Sequence, residues 1–108
     1  MGVVDMSKKI WQGSTPIHTF TIPYKRNEVS NAVVSYRQNN KNIFEKSNNE
    51  IEINDNLIIV RLTQKDTLSF ADVGDVAMQI KVKLHNGDVI PSNKMYAKLE
   101  SVFNKEEI

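Results

Sequence analysis

The chain of 108 residues is long enough to bury one hydrophobic core but too short for two ordinary domains. Lysine and arginine number 14 and acidic residues 13, so the formal charge of +1 provides no strong field for attracting nucleic acid or an anionic membrane. The sequence has no cysteine, which excludes disulfides, thiolate nucleophiles and cysteine-ligated zinc and agrees with folding in a reducing cytoplasm.

Residues 1–12 are interpreted as an N-terminal arm, because they hold more apolar side chains than an idle terminus needs. Asp5 lies where a signal peptide would be apolar, and no stretch approaches the roughly 20 apolar residues of a membrane-spanning helix. We therefore expect the mature chain to begin near Met1. Trp11, beside Ile10, is either a plug of the core or an anchor for a neighbouring subunit, because tryptophan is favoured in both settings.

Alternation of apolar and polar residues with a period of two predicts short β-strands along most of the chain. The predicted strands cover residues 17–22, 32–38, 42–46, 51–53, 57–62, 76–84, 89–90 and 93–99. The clearest is 76–84, where Val76, Met78, Ile80, Val82 and Leu84 alternate with polar or small residues. No segment has the apolar spacing of a substantial helix, so parallel α/β folds are excluded.

Turn residues separate these strands. Asn39-Asn40 predicts one hairpin and Asn86-Gly87 another. Pro91 lacks a backbone donor, so the last strand is expected either to begin as an edge there or to be interrupted by a bulge. Thr63 is expected to cap one helical turn at a corner between sheets, with Asp66 as its reciprocal acceptor.

These elements predict an all-β fold: a single-domain, antiparallel, immunoglobulin-like β-sandwich of six to eight short strands over residues 13–100. Residues 101–108 are predicted to form a C-terminal tail. A terminal helical turn or two over residues 100–108 would place Val102 and Phe103 inward.

Few residues are candidates for catalysis or for binding a metal or cofactor. His18 and His85 stand apart, without the partners that a catalytic or metal-binding histidine needs. The aspartates fall at turns, where they bond to the backbone, and the glycines form no phosphate-binding loop. We therefore expect no enzyme activity, no cofactor and no metal. The lysines of the last hairpin, with Tyr96 among them, are the residues most similar to a nucleic-acid-binding surface. Lysines on the solvent side of a sheet also prevent its edges from pairing wrongly, so we expect no nucleic-acid partner.

Several segments together resemble small phage and prophage proteins of low-GC Gram-positive bacteria, especially the N-terminal β-sandwich domain of phage baseplate upper proteins. The segments are 10–22 (IWQGSTPIHTFTI), 33–46 (VVSYRQNNKNIFEK), 59–70 (IVRLTQKDTLSF) and 78–92 (MQIKVKLHNGDVIPS). The shared features are a Gly-x-Thr-Pro turn, a Leu-Thr-Gln-x-Asp-Thr-Leu corner and an Asn-Gly-Asp hairpin.

The resemblance implies a structural component of a virion or prophage, made in the bacterial cytoplasm and packed against copies of itself or other phage tail proteins. Baseplate upper proteins are longer, so a small stand-alone subunit is expected here. The predicted protein interface includes Ile10, Trp11 and Tyr96, and the chain is expected to be a homo-oligomer. The alternative is a carbohydrate- or cell-wall-binding sandwich, which would require two or more exposed rings to line one groove.

Overall fold

The computed structural model describes residues 1–5 and 8–108, and in that part of the chain ten strands account for most of the regular structure. The strands are β1 (Val4–Asp5), β2 (Lys9–Trp11), β3 (Ile17–Thr21), β4 (Val29–Gln38), β5 (Lys41–Ser47), β6 (Ile51–Asn54), β7 (Leu57–Arg61), β8 (Val76–Leu84), β9 (Val89–Pro91) and β10 (Met95–Glu100). One short helix, α1 (Gln64–Leu68), and single 3-10 turns at Arg26–Glu28 and Asn48–Glu50 lie between them.

The strands form two sheets. Sheet I has the order β1-β3-β7-β6, and sheet II has the order β2-β10-β8-β4-β5, with β9 also paired to β8. All pairs are antiparallel except β2 with β10, which is parallel. This is the strand order of an immunoglobulin-like sandwich whose first strand is divided between both sheets, so the predicted fold class is confirmed.

The count of strands exceeds the predicted six to eight because residues 1–12 contribute two more. β1 joins sheet I beside β3, and β2 joins sheet II beside β10. The predicted arm is therefore paired into both sheets at their shared edge. Residues 6 and 7 of this predicted arm lie outside the described residues.

The core lies between the sheets and is built by the predicted alternation. On β8 the inward side chains Val76, Met78, Ile80 and Val82 are fully buried, while residues between them are half-buried or exposed. Sheet I contributes the buried residues Phe20, Ile58 and Val60. Burying one such aliphatic or aromatic side chain stabilises the fold by about 1.5–3 kcal/mol. A shift of one residue in the register would move all the apolar side chains of a strand to the solvent side, so the alternation fixes the register of the strands.

The break in the last strand occurs at Pro91, as predicted. Ser92 closes it: its amide donates to the carbonyl of Ile80 over 2.7 Å, and its Oγ accepts from the Ile80 amide over 2.9 Å. The start of the chain packs against the same break, since the Asn93 amide donates to the Met1 carbonyl over 3.0 Å and Asn93 Oδ1 accepts from the Val3 amide over 2.7 Å. The interruption at Ser92 and Asn93 thus connects β8 to the first residues of the chain.

The C-terminal tail departs from its prediction. Residues 101–108 contain no helix, and Phe103 is fully exposed rather than inward, while Val102 is half-buried. Side chains hold the backbone in place of helical bonds: Gln12 Oε1 accepts from the Val102 amide over 3.3 Å, and Asn104 Oδ1 accepts from the Glu106 amide over 2.9 Å. The Asn104 bond is local and competes with a helix, and the Gln12 bond holds the backbone from 90 positions away in the chain; together they explain the difference.

Candidate binding surface

The outer surface of sheet II, called here the sheet II face, carries several exposed cations and two exposed aromatic rings. Strand pairing places its side chains in rows across the sheet, because side chains at paired positions point to the same side. One row runs from Tyr96 on β10 through Ala77 on β8 to Arg37 on β4. Later rows along β8 carry Lys81 and Lys83.

A shallow depression of about 390 Å³ lies in the middle of this face. It exists because the small side chains of Ser35 on β4 and Ala77 on β8 are diagonal neighbours, since Ser35 pairs with Gln79 and Ala77 pairs with Arg37. We call it the basic depression. It is lined by Val33, Ser35, Arg37, Asn42, Glu45, Ala77, Met78, Gln79, Lys81 and Lys94.

The charges around the basic depression are mostly cationic. Three cations, Arg37, Lys81 and Lys94, face one carboxylate, Glu45, which gives a net charge of +2 from +3 and −1. Glu45 accepts a hydrogen bond from Ser35 Oγ over 2.8 Å. Among the described residues no acidic side chain lies within ion-pair distance of Lys81 or Lys94. This region therefore attracts an anionic group.

The three residues predicted to form the interface occupy different positions. Trp11 and Tyr96 are 49% and 63% exposed and point outward on the sheet II face, beside Glu100 and Ala77 respectively. Four residues along β10 separate their rows, a distance of about 13 Å. Ile10 is fully buried opposite Leu99, so its side chain packs in the core beneath the face and fixes β2 there.

Of the tyrosine and tryptophan rings considered for carbohydrate stacking, only Tyr96 lies near the basic depression; it lines a neighbouring depression that shares Arg37 and Lys94 with it. Tyr36 is fully buried and Tyr24 is half-buried. The described residues therefore do not form the ring-lined groove that the carbohydrate alternative requires.

The histidines lie apart from this face. His18 Nδ1 and Tyr36 Oη are 2.8 Å apart in the core, where the two stacked rings join sheet I to sheet II. His85 is exposed at the β8–β9 hairpin. In residues 1–5 and 8–108 no group of three histidine, cysteine or acidic side chains is placed to hold a metal ion.

Two aspartates have lowered pKa values, and both have a structural cause. Burial alone would raise the pKa of Asp66, but the Thr63 amide and the Lys46 ammonium, 2.9 Å away, outweigh it and hold the pKa below its ordinary value. The Lys105 ammonium, 2.8 Å from Asp72 Oδ1, lowers the pKa of Asp72, and Gln12 adds a hydrogen bond. Both carboxylates are engaged in holding local structure.

The aromatic residues of this face were predicted from the sequence, whereas Val33, Ser35, Arg37 and Glu45 were not. The alternation in residues 32–38 already separates the first three from their buried neighbours. What it does not show is which residues of β8 lie beside them, and that pairing alone creates the basic depression.

No helix in the described part of the chain is long and apolar enough to cross a membrane. Comparison with models of known protein families gives no match, and no curated protein matches the sequence.

Proposed function

We propose that this chain is a non-enzymatic structural protein of a phage or prophage virion, a module of the phage tail or baseplate that assembles through protein–protein contacts. The observation that carries the proposal is the sheet II face, which exposes both Trp11 and Tyr96. Between the two rings Glu100 pairs with Lys9 and Lys98, whereas Lys81 and Lys94 on the same face have no acidic side chain of the described residues within ion-pair distance. Tryptophan, tyrosine and arginine are the side chains that most often dominate binding energy in interfaces.

The shape of this surface supports binding of a protein over conversion of a small substrate. The basic depression is shallow and bordered by Lys81, Lys94 and Arg37 on a flat sheet. Enzyme sites bring ionisable groups with perturbed pKa values together in a cleft. The perturbed carboxylates Asp66 and Asp72 are instead tied to Lys46 and Lys105, away from the depression.

The phage assignment rests on the resemblance of four segments to baseplate upper proteins, and the immunoglobulin-like strand order is compatible with it. In that setting the protein would be made in the bacterial cytoplasm and reside in the virion. Its partners would be further copies of itself or other phage tail proteins.

The test is self-association of the purified chain, measured by sedimentation equilibrium over a range of concentrations. We expect the wild type to associate and the double variant Trp11→Ala/Tyr96→Ala to associate at least about tenfold more weakly, because truncating interface aromatics commonly costs about 2 kcal/mol or more. Ile17→Ala is the matched control: Ile17 is also exposed and apolar, but it lies on the outer surface of sheet I.

A wild type that remains monomeric at every concentration, and that binds no other tail protein of the same phage, would contradict the proposal. So would a loss of association in Ile17→Ala that equals the loss in the double variant. These point substitutions are preferable to deleting residues 1–12, because that deletion would remove two paired strands and disturb both sheets.

A further inference from the structure

The C-terminal tail, residues 101–108, presents apolar side chains to solvent although its backbone is fixed. Phe103 and Ile108 are fully exposed. Yet Gln12 holds the Val102 amide, and Gln64 makes two hydrogen bonds with the Ile108 backbone, over 3.1 and 2.8 Å. An exposed phenylalanine on a held segment makes no packing contact with its own chain and is available to another surface.

The same segment carries negative charge. Glu106 and Glu107 are exposed, and no cation of the described residues lies within ion-pair distance of either. Lys105, the neighbouring cation, is occupied by Asp72 and also donates to Gln12 Oε1. The C-terminal tail thus combines an aromatic ring, two free carboxylates and an aliphatic side chain within six residues.

We infer that the C-terminal tail of one copy binds the basic depression on the sheet II face of a second copy. The charges are complementary: the lining of the depression sums to +2, with Lys81 and Lys94 free, and the C-terminal tail offers Glu106 and Glu107. The small floor formed by Val33 and Ala77 leaves an open volume of about 390 Å³ on the sheet surface, which can receive side chains of a second chain.

We assign the occupant to another copy because the C-terminal tail of the same chain is already bound elsewhere, to Gln12 and Gln64, and neither residue lines the basic depression. Gln64 belongs to α1, and Gln12 follows β2, whereas the basic depression is formed by β4, β5 and β8. A contact between two different patches is heterologous, and repeated contacts of this kind produce rings or filaments. The inference rests on the proposed function, because it uses the same face, and it names the partner segment.

The experiment exchanges the charges of the two surfaces. One variant carries Glu106→Lys and Glu107→Lys, and the other carries Lys81→Glu and Lys94→Glu; all four residues are exposed. We expect each variant alone to associate at least tenfold more weakly than the wild type, because like charges meet. An equimolar mixture should regain association, since the basic C-terminal tail of one meets the acidified depression of the other.

Three further measurements sharpen the result. Phe103→Ala should weaken association with all charges intact, added salt should weaken the wild type, and Lys25→Glu, an exposed charge reversal outside both surfaces, should have no effect. Circular dichroism is used to check that every variant is folded. A mixture that does not regain association would overturn the inference, as would an oligonucleotide that occupies the depression while the protein remains monomeric.

The outcome separates this inference from the proposed function. If Trp11→Ala/Tyr96→Ala weakens association while the charge exchanges leave it unchanged, the sheet II face remains the interface and the C-terminal tail is not its partner. If the wild type is monomeric but binds another tail protein through the sheet II face, the proposed function stands and the inference fails.

Discussion

Gly74 is a residue whose identity is required by its surroundings. Its φ of +118° lies in the region that side chains disfavour, and a Cβ there would lie within 2.9 Å of Asn39 Cγ and still closer to Asn39 Oδ1. Asn39 can move away only by giving up the hydrogen bond that its Nδ2 donates to the Val73 carbonyl over 2.9 Å. Gly74→Ala should therefore lower the free energy of unfolding by more than about 2 kcal/mol, measured by urea denaturation.

Two other glycines allow the cost of backbone strain to be measured separately from the cost of contact with Asn39. Gly87 has a φ of +96° but open space around it, so Gly87→Ala tests backbone strain alone and should cost about 1 kcal/mol. Gly2 has open space without a positive φ, and Gly2→Ala should be nearly neutral. Equal losses in Gly74→Ala and Gly87→Ala would show that contact with Asn39 contributes nothing.

The helix α1 depends on a reciprocal cap that also holds an edge strand. Asp66 Oδ2 accepts from the Thr63 amide over 2.9 Å, Thr63 Oγ1 accepts from the Asp66 amide over 3.1 Å, and Lys46 of β5 pairs with Asp66. Since the folded state holds the pKa of Asp66 below its ordinary value, its carboxylate stabilises the fold above the unfolded pKa. That stability is lost as the pH falls through the folded pKa.

Asp66→Asn removes this titration while keeping an oxygen that can accept from Thr63. We expect the variant to lose about 0.5–2 kcal/mol of unfolding free energy at neutral pH and to approach the wild type between about pH 5 and pH 2. Urea denaturation at several pH values measures the difference, with the exposed Asp88→Asn as control. A gap that stays constant with pH would contradict the assigned role of the charge.

The strands with strong alternation and the Thr63–Asp66 corner could be predicted because their causes are local. β2 could not, since its pairing with β10 joins residues about 90 positions apart in the chain and leaves no local pattern. The β8–β9 hairpin was predicted in place but differs in detail: only Gly87 of the Asn86-Gly87 pair has a positive φ, and the Leu84 amide donates to the Asp88 carbonyl. This corresponds to a three-residue loop ending in a glycine bulge.

Some features of the candidate surface could likewise be predicted from the sequence, and others could not. Trp11 and Tyr96 could be identified from residue type, because exposed or half-exposed aromatics are common binding anchors. The burial of Ile10 and the exposure of Phe103 could not, because both depend on contacts between chain ends that are distant in sequence. The basic depression depends on the pairing of β4 with β8 and was therefore invisible before that pairing was known.

At the level of the whole molecule, both ends of the chain are fastened to one edge of the sandwich through Gln12. This buried side chain donates to the Phe70 carbonyl and to Asp72 Oδ1, each over 2.9 Å, and its oxygen accepts from the Val102 amide. It thereby connects the end of β2, the loop before β8 and the C-terminal tail. Loss of these bonds should affect the global fold and the presentation of Phe103 together.

Gln12→Leu keeps a similar volume and removes the hydrogen bonds. We expect the free energy of unfolding to fall by about 1–3 kcal/mol, because the buried Phe70 carbonyl loses a partner. Amide hydrogen exchange at Val102 should also accelerate, whereas Gln64→Leu should accelerate exchange at Ile108 and leave Val102 protected. If Val102 exchanges at the same rate in Gln12→Leu as in the wild type, Gln12 does not hold the C-terminal tail. If the tail is released, the variant should also self-associate more weakly, because Phe103 and the two glutamates are then no longer held in one position.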